Sequence, residues 1–210
     1  MFLYKKLSPK AYNLVLGGIV LYALVANILL CLFCGPIFSR MDPVALILGE
    51  LIVSIIGIFF GRSKNLKVRF LGYNLIVIPF GAVLTAILPV FAAEAVFLAI
   101  VLTAVVTVGM ITLSTLFPAY FSRLGPALGI ALLLSLTVDI ITWLLGYPQN
   151  IITGVYVVLF SLYLGFDWHK AQSCNKDVSN AIESAIDLYL DITNLFLDLL
   201  QLIDLSDLFD

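Results

Sequence analysis

The sequence predicts an all-α fold, a polytopic membrane protein built as a bundle of seven transmembrane helices, and three observations carry that prediction. Of its 210 residues, 62% are hydrophobic and only 11% charged, against roughly 25% charged in an ordinary soluble domain. Apolar runs recur along the chain, each long enough for the roughly 20 residues that cross about 30 Å of hydrocarbon. The runs are continuous, as in ALGIALLLSLTV, and lack the strict alternation over about ten residues that marks a membrane β-strand. The mean hydropathy of +1.14 agrees.

The spans lie near 12–34, 43–61, 70–91, 94–117, 126–146, 149–168 and 180–203, in one membrane domain covering residues 1–210. The first closes at Cys34-Gly35-Pro36. It exceeds the about 7–15 apolar residues of a signal-peptide core and no small-residue cleavage motif clearly follows, so it reads as a retained span. The second follows Asp42 and ends in FFGRSKN, and the third runs from Phe70 into LPVF. The fourth begins at Glu94 and stops before Pro118, the fifth runs from Pro126 to Gly146, and the sixth ends at Asp167-Trp168. The longest loop, HKAQSCNKDVSN, precedes the seventh span and is too short to form a domain. Function is therefore expected inside the bundle, at its mouths, or on surfaces offered to membrane-protein partners.

Orientation follows from the positive charges, which concentrate in cytoplasmic loops. With seven spans, Lys5, Lys6, Lys10, Arg62, Lys64, Lys67, Arg69, Arg123, Lys170 and Lys176 fall on one side and Arg40 alone on the other. The N-terminus is thus expected in the cytoplasm and the acidic tail DLSDLFD outside. Tyr4, Tyr12 and Trp168 near the inner interface, with Trp143 and Tyr147 near the outer one, partly agree. A net charge of −2 suggests no nucleic-acid partner. Cys31 and Cys34 read as small buried hydrophobes and Cys174 as a free thiol. His169 is the only histidine, so no multi-histidine metal site is expected, although its place at the inner mouth would suit a pH sensor.

The last span carries the most informative pattern. Drawn as a helix, Glu183, Asp187, Asp191, Asn194, Asp198 and Gln201 all fall within a stripe about 80° wide. An amphipathic helix lying on the surface also has a polar face, but here the stripe is acidic, the remainder densely apolar, and the length sufficient to span. A charge at mid-bilayer costs at least about 2.5–3.5 kcal/mol, so the stripe is expected to face the bundle interior. Glu50, Asp139 and Asp167 add acids from other spans, and Glu94 one at the outer edge of the fourth. Glu50, Asp139 and Asp198 fall in the outer half, Asp191 near the middle, and Asp187, Glu183 and Asp167 towards the cytoplasm. That order traces an acid-lined route suited to protons or to cations that prefer hard oxygen ligands, such as calcium. Arg62 closes the second span at the cytoplasmic edge, as a positive-inside anchor or as a carboxylate partner. Two carboxylates brought close titrate as a coupled pair, and a nearby arginine opposes proton sharing.

The segments FSLYLGFDWHKAQ and AIDLYLDITNLFLDLLQL resemble the C-terminal signature of the transmembrane Bax inhibitor-1 family. The resemblance implies a seven-helix bundle with the last helix at its centre and a pH-regulated calcium leak. It further implies that Asp167 and Asp191 form the di-aspartyl sensor and calcium ligands, with Arg62 as their partner arginine. Eukaryotic members of that family are linked to cell-death suppression and calcium homeostasis. Asp187, Asp139 and Asp198 lie outside the common pattern. For Asp167 to meet Asp191, the sixth helix must continue to about Gln172 or the seventh begin late; otherwise Asp187 is the better partner.

Other classes fare less well. An intramembrane aspartyl protease needs a GxGD motif, whereas Asp191 follows Tyr189 and Leu190. A retinal protein needs a lysine in its last helix, and residues 180–203 contain none. A proton-coupled transporter fits the acids but lacks evident broken helices and paired repeats. A non-conducting regulator that binds other membrane proteins, its acids serving as packing hydrogen bonds, remains the main alternative. The expectation is a non-enzymatic, cofactor-free calcium leak of a bacterial plasma membrane, with calcium and protons as its ligands.

Overall fold

A computed structural model of the chain describes residues 6–38, 40–146 and 152–207. Tyr4, Lys5, Tyr147, the expected start of the sixth span and the last three residues of the acidic tail lie outside the described residues, as does the Trp143 side chain. Most described residues are helical: α1 (Pro9–Phe33), α2 (Gly35–Phe38), α3 (Pro43–Gly61), α4 (Leu66–Ile87), α5 (Ala93–Leu116), α6 (Pro118–Phe121), α7 (Gly125–Leu144), α8 (Thr153–Ser173) and α9 (Val178–Asp207). Seven of these are long, and each overlaps one expected span. Length and composition qualify five to cross a membrane: Pro9–Phe33, Val44–Gly61, Leu66–Val90, Ala93–Leu116 and Gly125–Thr142. The two long helices outside that set, α8 and α9, are those that carry Asp167 and the acid stripe.

Helix starts follow caps rather than hydropathy. Ser8 Oγ accepts from Ala11 N–H (3.2 Å), Asp42 Oδ1 from Ala45 N–H (2.9 Å) and Asn65 Oδ1 from Lys67 N–H (3.0 Å). Pro9 and Pro43 then occupy first-turn positions, where no N–H is needed. The Asn65 cap draws Lys67 and Arg69 into the first turns of α4, ahead of the apolar run.

Compactness divides the chain into two units, residues 1–90 with 174–189, and 91–173 with 190–210, the boundary falling inside α9. In the first, α3 and α4 meet backbone to backbone. A Cβ on Gly72 would lie 2.6 Å from Gly57 O and collide with Gly61 N, which is the close approach small residues permit between membrane helices. Tyr189 of α9 stands edge-on to Tyr73 and Phe80 of α4, and Asn27 Nδ2 donates to its hydroxyl at 2.6 Å. In the second unit, α7 and α8 share a core of Leu128, Tyr156 and Leu159. There Ser114 Oγ of α5 donates to Gly165 O of α8 at 2.6 Å, and Gly165 admits the Phe121 ring. Most long helices expose large apolar side chains such as Leu14, Ile52, Phe97 and Leu133, as lipid-facing surfaces do. In contrast, every residue of α9 from Val178 to Leu200 is buried or half-buried.

Candidate functional site

Asp167 and Asp191 both belong to the second unit. Their relative exposures are 8% and 5%, so each carboxyl is withdrawn from water in an apolar bundle, where uncompensated charge is expensive. The helix bearing Asp167 continues past Gln172 to Ser173. The half-exposed Lys170, less than one turn further on, brings Nζ to 3.8 Å from Asp167 Oδ1, a charge contact longer than a hydrogen bond. Tyr163, one turn earlier on α8, lies within electrostatic reach of both Asp167 and Asp191. Sequence reading missed both neighbours of Asp167, although their spacings of three and four residues place them on its face of the helix.

Calcium takes about six to eight oxygen ligands, and no group of three or more His, Cys, Asp or Glu side chains is arranged to hold a metal among the described residues. Cys31, Cys34 and Cys174 are each half-buried and in no disulfide among the described residues. His169 sits beside Ser173, 3.3 Å from its hydroxyl.

Towards the Thr153 end of α8, roughly 20 Å along the helix from Asp167, the second unit gathers another polar group. Tyr156 donates to Asp139 Oδ2 at 2.5 Å, and Asp139 lies within electrostatic reach of Asp198. Among the described residues, Asp198 Oδ2 is buried without a hydrogen-bond partner. Thr153 Oγ1 contacts Gln201 Oε1 at 3.5 Å. Two acids expected to line one half of the route are thus neighbours, and Tyr156 is a member that no local pattern announced.

The remaining site residues lie in the first unit. Glu50 is half-buried and accepts from Ser54 Oγ, one turn along α3, at 2.7 Å. Arg62 is exposed at the C-cap of α3. Asp187 is half-buried on α9, one turn beyond Glu183. Glu183 has an unexpected partner: Arg69, only 7% exposed, donates to Glu183 Oε2 at 2.8 Å. The sequence reading counted Arg69 only as a positive-inside charge.

Between α8 and α9, Lys176 places its ammonium 4.5 Å from the centre of the Tyr12 ring. Burial pushes its pKa below the ordinary lysine value, with the neighbouring Cys174 acting in the opposite direction. The Tyr12 hydroxyl meets Cys174 Sγ at 3.3 Å and Ser184 Oγ at 3.1 Å.

Over residues 5–207 the chain matches the protein family described as inhibitor of apoptosis-promoting Bax1. It is 30% identical over 157 residues to an uncharacterised protein of Helicobacter pylori strain J99, a match covering 72% of this chain and 67% of that relative. A second uncharacterised protein, from Helicobacter pylori strain 26695, is 36% identical over 84 residues, covering 39% of this chain and 36% of that protein.

Proposed function

We propose, from the premise that this chain belongs to the Bax inhibitor-1 family, that it is a pH-sensitive calcium leak channel whose gate is the Asp167 and Asp191 pair. The observation that carries the reading is the burial of both carboxyls in one compact unit, on the two long helices least suited by composition to lipid. Gain or loss of a proton there changes the charge facing a passing cation, with Lys170 and Tyr163 setting the local field. Asp139 and Asp198 of the same unit supply oxygen along the approach. The last helix stands at the bundle's centre, a placement supported by its burial from Val178 to Leu200. By the positive-inside rule the N-terminus is cytoplasmic and the C-terminus outside, in a bacterial plasma membrane.

The test is calcium uptake into liposomes holding the purified protein, over roughly pH 5 to 8, comparing wild type with Asp167→Asn and Asp191→Asn. A pH-dependent flux that loses its pH response in either variant is expected. Absence of flux at every pH, with the protein folded, refutes the leak and moves the assignment to a partner-binding regulator or a proton-coupled carrier.

A further inference from the structure

We propose that Arg69 is the lock that holds the cytoplasmic start of α9 in its resting position, acting through Glu183 and the Ser179 carbonyl. Its guanidinium ties three segments of the first unit together. Nε donates to Ser63 O (3.0 Å) in the turn between α3 and α4, while Nη1 donates to Ser179 O (2.9 Å) and to Glu183 Oε2 (2.8 Å) on α9. Ser179 and Glu183 are four residues apart and share one face of that helix.

A cation beside the first turns of a helix opposes the helix dipole, and a buried guanidinium without a counter-charge is strongly unfavourable. Glu183 offsets both effects, so the lock depends on that one carboxylate. Its side chain is 43% exposed, so the bond is open to competition from water and ions and is weak enough to be released. Other holds on this stretch include Tyr12 on Ser184 and Cys174, and Leu7 N–H on Lys176 O at 2.7 Å. These tether the loop before α9 as well as its second turn, Ile186 of α9 packs against Gly61 at the end of α3, and Arg69 adds a polar tie from α9 to the α3–α4 turn. Glu183 and Asp191 are two turns apart, about 12 Å, on the uninterrupted helix α9. The lock therefore acts on the same helix that carries the aspartate of the proposed gate.

The link to leakage rests on the proposed function; the hold on α9 does not. Two readouts on the full-length protein separate them, with wild type compared to Glu183→Gln, the conservative Glu183→Asp, and Arg62→Gln. In hydrogen exchange, Glu183→Gln is expected to speed exchange of amides 182–189 about three- to tenfold. Amides 128–159 in the second unit stay unchanged, Glu183→Asp recovers most of the protection, and Arg62→Gln leaves 182–189 at wild-type rates. In liposomes, Glu183→Gln raises calcium leak by a similar factor at the pH where wild type leaks least, and changes the maximal leak less than about twofold. Unchanged exchange at 182–189 overturns the lock. Exchange accelerated throughout, or a maximal leak that falls with the fold, also overturns it by reducing Glu183 to a general stability role. A wild type without flux at any pH refutes the channel reading alone, and exchange then decides the lock.

Discussion

Replacing Gly72 with alanine tests the backbone contact that sets Arg69 in place. The added Cβ would lie 2.6 Å from Gly57 O and 2.7 Å from Phe60 C, and closer still to Gly61 N. Ordinary contacts between such atoms begin near about 3.5 Å, so α3 and α4 must separate by roughly 1 Å. All three obstacles are backbone atoms, and none can turn aside as a flexible side chain would. Overpacking of this kind costs about 1–3 kcal/mol, with the upper end expected where nothing yields. The control is Gly109→Ala in α5, where a Cβ meets nothing within 4 Å and better helix propensity makes the change neutral or favourable by up to about 1 kcal/mol. Unfolding in mixed detergent micelles, followed by helical circular dichroism, measures both. Because Arg69 lies less than one turn before Gly72, its bond to Ser63 O should also weaken and amides 182–189 exchange faster. A Gly72→Ala protein within about 0.5 kcal/mol of wild type would refute the backbone-contact reasoning.

Three further outcomes follow from other contacts. Ser114→Ala removes the buried hydroxyl that donates to Gly165 O and is expected to cost about 0.5–1.5 kcal/mol in the same unfolding assay, an unchanged stability arguing against that bond. Tyr156→Phe removes the donor to Asp139 Oδ2, for an expected loss of about 1.5–3 kcal/mol. Combined with Asp139→Asn, it should cost less than the two single changes added, and strict additivity would show that the pair does not interact. Lys176 is expected to titrate below its ordinary 10.5 when followed by NMR of the methylated amine. Since the folded chain then holds this proton less tightly than the unfolded one, Lys176 contributes stability that increases as pH rises from its folded pKa towards 10.5. A value at or above 10.5 would contradict its burial.

What could be read from the residues alone was the order and approximate extent of the seven long helices, because spanning lipid demands a long apolar run and each run is local in sequence. The acid stripe of the last helix was legible for the same reason: a period of about 3.6 residues places it on one face whatever surrounds it. Hydropathy located the helix ends less well, since hydrogen bonding extends a helix beyond the lipid-compatible stretch. Asn65 starts α4 before Phe70, and α8 runs through Asp167, His169 and Lys170 to Ser173.

The partners of the charges were decided only by the tertiary structure. Arg62 and Arg69 are both cations near the start of α4, and no local pattern says that Arg62 is exposed while Arg69 is buried against Glu183, 114 residues away. Asp139 and Tyr156 are 17 residues apart on different helices, and the pair exists only because α7 packs on α8. Composition and periodicity determine which side of a helix is polar. Which polar groups meet depends on helix crossings such as Gly57 against Gly72, where the absence of a Cβ sets the distance at which two backbones, and every charge they carry, can approach.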